Sequence, residues 1–182
     1  MQRYRTNGIT SEASLMQPRP ADEIWNYQQI NLGFNYRMTD IQAALGVSQM
    51  MRLDGFVTKR RQIAKRYNIE LAGLALQTPQ QLTNSYSSYH LYPIRIKLDE
   101  TTRTQRQIYD ALAASGISVN LHYIPVYRQP YYEAMGFKAG YCPEAEQYHR
   151  DTLTIPMYPA LSRTQQEHVV DSIKCALMGK SL

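Results

Sequence analysis

The sequence predicts an α/β fold in which an irregular arm and long helices precede a small α/β domain. Three observations support this class. Glycines and prolines interrupt the first part of the chain, at Gly8, Pro18, Pro20 and Gly33, and such residues break a long periodic pattern. Apolar residues then recur at helical spacing between residues 39 and 71. Beyond residue 79, apolar runs that suit strands alternate with helical patterns, an order typical of helices packed on one sheet.

The helical region begins at Thr39, which can cap a helix because Gln42 stands at the capping-box position three residues later. The helical pattern continues past residue 53, with a break expected near residues 54–55. The result is one long helix or two helices end to end. The residues that recur at helical intervals in the first stretch are Ile41, Ala44, Leu45 and Ser48, and the apolar stripe of the second is Phe56, Ile63, Tyr67 and Leu71.

The small domain is predicted from alternating strand and helix patterns. Strands are expected at residues 89–97, 117–124 and 154–157. Helices are expected at residues 103–115, at residues 144–152 and from Ser162 onward, where Gln165 completes a second capping box. Prolines limit the strands, since a proline cannot donate to a sheet ladder.

Composition excludes several classes of protein. The chain has 182 residues, of which 43% are hydrophobic and 19% charged, enough for a domain that buries roughly 70% of its unfolded surface. Its apolar runs are far shorter than the ~20 residues of a membrane span, and its polar start has no hydrophobic signal core. Cys142 and Cys175 share no metal-ligand spacing. We therefore expect a cytoplasmic protein without a membrane segment, a metal site or a disulfide framework.

Charge and aromatic content leave several ligands open. The formal net charge of +5 comes largely from a basic cluster formed by Lys59, Arg60, Arg61, Lys65 and Arg66. A solvated helix face explains such a cluster, and an anionic partner such as nucleic acid is the alternative. The fifteen tyrosines, against three phenylalanines and one tryptophan, suit surfaces that stack on and hydrogen-bond to polar rings. Sugar or nucleotide ligands fit this description, and so does a wet subunit interface.

The most specific signal is the motif LGFNYRMTDIQAALG at residues 32–46, followed by Gln49, residues 52–54 and Lys59-Arg-Arg. This run resembles the hallmark of the DegT/DnrJ/EryC1/StrS sugar aminotransferases. Matches at fixed spacing over such a run are far more specific than a lone glycine motif. Further matches lie at residues 5–10 (RTNGIT), 116–126 (GISVNLHYIPV), 129–132 (QPYY) and 153–159 (LTIPMYP).

The resemblance implies the carboxy-terminal part of a pyridoxal-phosphate-dependent transferase of fold type I. Residues 1–52 would form the end of the large cofactor domain and an interface loop, residues 53–78 a linking helix, and residues 79–182 a small carboxy-terminal α/β domain. Family members are homodimers with active sites at the subunit interface, where the Gly-Phe-Asn-Tyr-Arg loop reaches the neighbouring subunit's site. Pyridoxal 5'-phosphate is therefore the expected cofactor, and a homodimer the expected assembly.

The resemblance also implies an activity. The segments His122-Tyr-Ile-Pro, Gln129-Pro-Tyr-Tyr and Tyr148-His-Arg most resemble family members of pseudaminic acid synthesis. Such enzymes transfer an amino group to C4 of a UDP-linked 4-keto-6-deoxy-N-acetylhexosamine, and glutamate is the expected donor.

Transamination requires a lysine that forms a Schiff base with the cofactor. In the family this lysine precedes the stretch that matches residues 5–8, and none of the six lysines, at positions 59, 65, 97, 138, 174 and 180, stands in that context. No catalytic residue is therefore assigned, and the chain alone is predicted to be inactive. The alternative is a non-catalytic remnant that binds or pairs with a full-length aminotransferase. A nucleic-acid-binding protein is a third interpretation, supported only by the charge of the basic cluster.

Asn35 is the candidate cofactor ligand. The resemblance implies that its amide donates to the cofactor phosphate across the dimer interface, without adding a charge; a turn or helix-entry role is the alternative. Tyr36 and Arg37 are candidate substrate contacts, through a hydroxyl and a fork of donors. Packing of Tyr36 in a subunit interface and pairing of Arg37 with Asp40 are the structural alternatives.

A second group of candidate substrate-binding residues comprises Asn120, His122, Tyr123 and Ile124. They end a predicted strand ahead of Pro125, and the resemblance places them at the border of the nucleotide-sugar. A satisfied structural histidine is the alternative for His122. The other histidines, at positions 90, 149 and 168, have no metal-ligand spacing and are expected to be structural or surface residues.

Overall fold

The computed structural model describes residues 1–18, 20 and 27–179. The chain separates into two compact units, Met1–Arg52 and Leu53–Leu182, hereafter unit 1 and unit 2. Unit 2 contains both the segment expected to be a linking helix and the segment expected to be the small domain. The division of these two segments into separate domains stays a prediction.

Unit 1 contains a two-stranded antiparallel ribbon and one long helix. β1 (Ile9–Thr10) pairs with β2 (Gln28–Gln29), and α1 spans Asp40–Met50. The predicted capping box is confirmed: Thr39 Oγ1 accepts a hydrogen bond from Gln42 N at 3.3 Å, and Gln42 Oε1 accepts one from Thr39 N at 3.0 Å. The helix begins there because the box satisfies amide groups that a helix N-terminus leaves unpaired.

Unit 2 is built on a three-stranded antiparallel sheet. Its strands are β3 (Leu76–Gln77), β4 (Tyr92–Ile96) and β5 (Thr152–Ile155), in the spatial order β3-β4-β5. Its helices are α2 (Leu53–Glu70), α3 (Gln105–Ala114), α4 (Pro130–Glu133), α5 (Pro143–Asp151) and α6 (Arg163–Met178). The predicted capping box at the start of α6 is confirmed, and α3 begins with another.

One face of this sheet is apolar and forms the core. Tyr92 and Ile94 of β4 lie opposite Ile155 and Leu153 of β5, and all four side chains are buried. They share a face because side chains alternate across a strand. Helices α2, α3 and α6 contribute the other apolar residues of the core, which include Ile63, Tyr67, Ile108, Leu112, Val170 and Ile173.

The opposite face of the sheet is polar. Arg95 of β4 lies opposite Thr152 of β5, and its guanidinium contacts both carboxylate oxygens of Asp151, at 2.7 and 3.1 Å. This pair supplies the hydrogen bonds that the buried Asp151 carboxylate requires. Gln105 Nε2 donates to the carbonyls of His149 and Thr152, each at 2.8 Å. These contacts join α3, α5 and the start of β5.

The strand predicted at residues 117–124 is wrong. The segment makes only an isolated antiparallel bridge, between Asn120 and Thr154. In that register the ladder would next reach Thr152, whose carbonyl accepts instead from Gln105. In the other direction it would reach Pro156, which has no N–H to donate. The ladder therefore stops after one pair.

Other element boundaries also differ from the prediction. β5 begins at Thr152, two positions before the predicted start. The interruption between the first two helices lies at residues 51–52, and Asp54 stands in the first turn of α2. A carboxylate is favourable at that helix end, which explains why Asp54 starts a helix instead of breaking one. The short elements β3 and α4 were not predicted.

The basic cluster is largely used inside unit 2. Arg60, Arg61 and Arg66 donate hydrogen bonds to other parts of the unit, and the Arg61 guanidinium lies 3.7 Å from the ring centre of Tyr86. The arginines whose charge suggested a nucleic-acid partner thus bind oxygen atoms of the protein itself. The acceptors are the carbonyls of Tyr89, His90 and Met157 for Arg60, the carbonyl of Ser87 and the side-chain oxygen of Gln81 for Arg61, and the side-chain oxygen of Gln166 for Arg66.

Candidate functional site

The loop that carries Asn35 is held extended within unit 1. Phe34 N donates to Tyr4 O at 2.6 Å, and Tyr36 N donates to Arg5 O at 2.9 Å. Asn35 itself forms an isolated antiparallel β-bridge with Thr6. Successive side chains of an extended chain point to opposite sides, so Asn35 projects away from Phe34 and Tyr36.

Two glycines allow this close pairing of segments. A Cβ on Gly8, whose φ is +72°, would lie 1.7 Å from Asn31 O, and a Cβ on Gly33 would lie 2.3 Å from Gly8 N. Neither position can hold a side chain unless the backbone moves. Both glycines belong to the segments that carry the family resemblance, which gives these motif positions a backbone explanation.

The side chains of this loop are available for contact. Tyr36 is 74% exposed and stacks on Phe34, with ring centroids 5.0 Å apart. Asn35 and Arg37 are also exposed. Within residues 1–18, 20 and 27–179, the Asn35 amide has no hydrogen-bond partner and Arg37 forms no ion pair with Asp40. The helix-entry role of Asn35 and the Arg37–Asp40 pair are therefore not observed in that part of the chain.

The segment 120–124 lies at the edge of β5. Asn120 and Thr154 exchange two backbone hydrogen bonds, at 3.1 and 2.8 Å. His122 Nδ1 lies 2.9 Å from Thr154 Oγ1, and the Tyr123 ring meets the imidazole edge-on with centroids 4.6 Å apart. Tyr123 and Ile124 are exposed, whereas His122 is half-buried.

A hydrogen-bonded cluster anchors the chain that follows this segment. The Glu146 carboxylate accepts from Tyr127 Oη at 2.6 Å and from Gly140 N at 2.7 Å. These two bonds hold the pKa of Glu146 below its ordinary value. Burial, with the Glu146 bond, raises the pKa of Tyr127. The cluster thereby joins Tyr127 and Gly140 to the first turn of α5.

Two buried tyrosines fix the end of β5 and the start of β4. Tyr67 Oη donates to Pro156 O at 3.0 Å, and Tyr92 Oη donates to Asn68 Oδ1. Burial raises the pKa of both phenols well above the ordinary value. Both therefore remain protonated and act as structural donors.

The described lysines are poor candidates for a Schiff base. A lysine with that role needs a desolvated pocket. Lys59, Lys65, Lys97 and Lys138 are exposed and Lys174 is half-buried; Lys97 pairs with Glu100 and Lys174 with Asp171. Lys180 lies outside the described residues.

Two further features bear on the class of site. In the part of the chain that the structure describes, no group of three or more His, Cys, Asp or Glu side chains could hold a metal ion. No helix there combines the length and apolar character needed to cross a membrane.

The remaining histidine and cysteine side chains have local structural settings. His168 Nε2 lies 3.0 Å from Ser115 O, and both cysteines are free thiols.

The candidate residues form one group in each unit. Asn35, Tyr36 and Arg37 share the extended loop of unit 1, and residues 120–124 share one segment of unit 2. Sequence reasoning missed Thr154 and the Tyr127–Glu146 cluster. Thr154 lies within the quoted LTIPMYP segment, but no sequence signal indicates its contact with His122.

Comparison with known proteins identifies the class. The structure matches a candidate sugar aminotransferase of Streptococcus pneumoniae, with a TM-score of 0.82 and 26% identity over 96% of this chain and 42% of the other. Structures of that protein with PLP and with PMP match similarly. The fold is thus that of PLP-dependent sugar aminotransferases, and the predicted fold class is confirmed. The pattern of the DegT/DnrJ/EryC1/StrS aminotransferase family matches residues 11–174, and the chain belongs to this family.

Two curated relatives refine the comparison. The spore coat polysaccharide biosynthesis protein SpsC of Bacillus subtilis is 31% identical over 158 residues, covering 85% of this chain and 41% of the relative. The UDP-4-amino-4,6-dideoxy-N-acetyl-beta-L-altrosamine transaminase of Campylobacter jejuni is 28% identical over 151 residues, covering 82% and 40%. The chain therefore spans less than half the length of these relatives.

The described residues fit one part of a pyridoxal phosphate site. A phosphate group requires donors, and the exposed, unpaired Asn35 amide supplies one. The covalent link requires a desolvated lysine, which the described residues do not provide. The described residues thus offer a donor of the kind that a phosphate requires and no lysine in a desolvated pocket.

Proposed function

We propose that this chain supplies the partner-facing part of a nucleotide-sugar aminotransferase that acts as a homodimer. The Asn35 loop carries the proposal, because its backbone is fixed by hydrogen bonds while its side chains are exposed and, among the described residues, the Asn35 amide has no hydrogen-bond partner. A preorganised loop loses little conformational freedom when it binds a ligand or a second polypeptide. The arrangement therefore favours a loop whose side chains contact a binding site outside unit 1.

Each candidate residue has a defined task in this proposal. Pyridoxal 5'-phosphate, when bound, supplies the electron sink for amino transfer. Asn35 Nδ2 donates to the cofactor phosphate from across the dimer interface. Tyr36 and Arg37 contact the substrate through a hydroxyl and a planar fork of donors. No catalytic residue is assigned to this chain.

The proposed substrate is a UDP-linked 4-keto-6-deoxy-N-acetylhexosamine, which accepts an amino group from glutamate at C4. Similarity to the Campylobacter jejuni transaminase supports this choice. Asn120, His122, Tyr123 and Ile124 border the sugar nucleotide. They present an amide, an imidazole, a phenol and an aliphatic group from one segment, a mixture suited to a polar ring with an apolar face.

A complementation experiment tests the role of Asn35. The Campylobacter jejuni transaminase is prepared with alanine at the position that matches Asn35, and this chain is added in excess. Wild-type chain is expected to form mixed dimers and to restore amino transfer by about tenfold or more, as for one hydrogen bond to a charged group. The Asn35→Ala chain is expected to pair equally well and restore nothing.

The matched control is Asn31→Ala, which removes another exposed amide of unit 1 and should restore activity like wild type. Equal restoration by Asn35→Ala and wild-type chains would contradict the phosphate contact. Pairing in gel filtration without any restoration would favour the non-catalytic remnant. Absence of pairing would contradict both interpretations.

A further inference from the structure

One candidate substrate contact is held by a residue that the family resemblance does not assign. His122 Nδ1 lies 2.9 Å from the hydroxyl of Thr154. Thr154 is only 6% exposed and lies on β5, on the polar face of the sheet. Its register partner on β4 is Pro93, and its backbone N–H and C=O both form hydrogen bonds with Asn120.

The backbone register explains why these two side chains meet. Asn120 and Thr154 form a hydrogen-bonded antiparallel pair, so their side chains lie on the same face. His122 stands two residues beyond this single bridge. It then reaches Thr154 along the diagonal of the pair, a distance that a long side chain spans.

The direction of this hydrogen bond follows from burial. In the described part of the chain, His122 Nδ1 is the only hydrogen-bond partner of Thr154 Oγ1. A buried hydroxyl proton without an acceptor is unfavourable. Nδ1 of a neutral imidazole accepts only when the proton of the ring is on Nε2. The hydroxyl therefore favours the Nε2–H tautomer.

We propose that Thr154 is a positioning residue that holds His122 as an Nε2–H donor toward an oxygen acceptor of the ligand. The assignment of that ligand rests on the proposed function; the tautomer does not. The Tyr123 ring, edge-on to the imidazole, limits rotation of the ring about its Cβ–Cγ bond. Thr154 and Tyr123 together would leave Nε2 as the free polar atom of the side chain.

Long-range 1H–15N correlation spectra of the 182-residue chain test the tautomer directly, with Nδ1 and Nε2 of His122 assigned by loss of their signals in His122→Gln. Wild type is expected to show a single neutral tautomer with the proton on Nε2. Thr154→Ser, which keeps the hydroxyl, should reproduce it. Thr154→Val should shift the Nδ1 resonance, because its lone pair loses a hydrogen bond.

A proton on Nδ1 in the neutral wild-type ring would overturn the proposal. So would a folded Thr154→Val chain with both His122 nitrogen resonances unchanged. Backbone amide spectra establish whether Thr154→Val folds; if it does not, the wild-type and Thr154→Ser tautomers decide the question.

Titration with UDP separates this inference from the proposed function. In wild type UDP should move the His122 Nε2 resonance, and a folded Thr154→Val chain should bind UDP roughly three- to tenfold more weakly, the effect of one ordinary hydrogen bond. If the ring carries its proton on Nε2 and UDP leaves the Nε2 resonance unchanged, the positioning role of Thr154 stands and the substrate role of His122 is contradicted. If the ring carries its proton on Nδ1 and UDP shifts its resonances, the substrate role stands and the positioning role is contradicted.

Discussion

Unit 1 and unit 2 form capped helices by the same local rules but differ in what those helices bury. Thr39 and Ser162 each complete a capping box. Yet α6 buries six residues, including Val169 and Ile173, whereas α1 buries none. Gly8 is the only buried residue among the described residues of unit 1. Local sequence therefore produces a helix in both units, and only unit 2 supplies a core for it.

Unit 1 exposes several large apolar side chains that could contact another polypeptide. Ile41 is 84% exposed and Leu45 61%, and Leu32 and Met38 are exposed as well. Ile41 and Leu45 are neighbours one turn apart on α1, and exposed apolar patches are typical of interaction sites. In the proposed dimer, this surface and the Asn35 loop face other polypeptide, whereas unit 2 is stabilised by its own contacts.

The largest expected effect distinguishes a core leucine from an exposed one. Leu153→Ala, at a fully buried position, should lower the free energy of unfolding by about 2–5 kcal/mol through lost contacts and a cavity. Leu45→Ala on α1 should change it by less than about 0.5 kcal/mol. Urea unfolding followed by circular dichroism measures both. Equal losses would show that α1 belongs to the same stabilising core.

A smaller effect compares the two caps. Ser162→Ala should lower the free energy of unfolding of unit 2 by about 1 kcal/mol, because a helix packed on the core loses its cap. Thr39→Ala removes the same kind of bond from an unburied helix. It should reduce helical signal while leaving the unfolding midpoint of unit 2 unchanged. A midpoint lowered equally by both substitutions would contradict the separation of the units.

The smallest effect concerns the Tyr127–Glu146 cluster at the periphery of unit 2. Hydrogen bonds from Tyr127 and Gly140 hold the pKa of Glu146 below its ordinary value of 4.5. A carboxyl group whose pKa is lower in the folded state stabilises the fold above its unfolded pKa, and this stability is lost as the pH falls through the folded pKa.

Glu146→Gln should therefore be less stable than wild type at neutral pH, and the gap should narrow as the pH falls below about 4.5. Urea midpoints measured across that range test the direction. Glu144→Gln, an exposed position in the first turn of the same helix, serves as the control. If the difference in urea midpoint between wild type and Glu146→Gln stayed constant or widened in acid, the Glu146 carboxylate would not be the source of this pH-dependent stability.

Local signals were predictable from the sequence, and distant contacts were not. The capping boxes at Thr39 and Ser162 each depend on residues three positions apart. The two residues of β3 are too few to show a period, and the failed strand at residues 117–124 depends on Gln105, far away along the chain. The Asn35 loop was found through its motif, but the backbone bonds that hold it became visible only in three dimensions. The His122–Thr154 contact joins residues 32 positions apart and has no local signal.

Hydrogen exchange of the Asn35 loop and α1 tests most directly whether unit 1 serves another polypeptide. Amides of residues 32–50 are measured in the dilute chain and again after addition of the Campylobacter jejuni transaminase, with pairing established by gel filtration. The account predicts that exchange of the α1 amides, whose helix buries no residue in the chain alone, slows by about tenfold or more on pairing, with amides of β4 unchanged. No slowing of the α1 amides in a paired sample would contradict it.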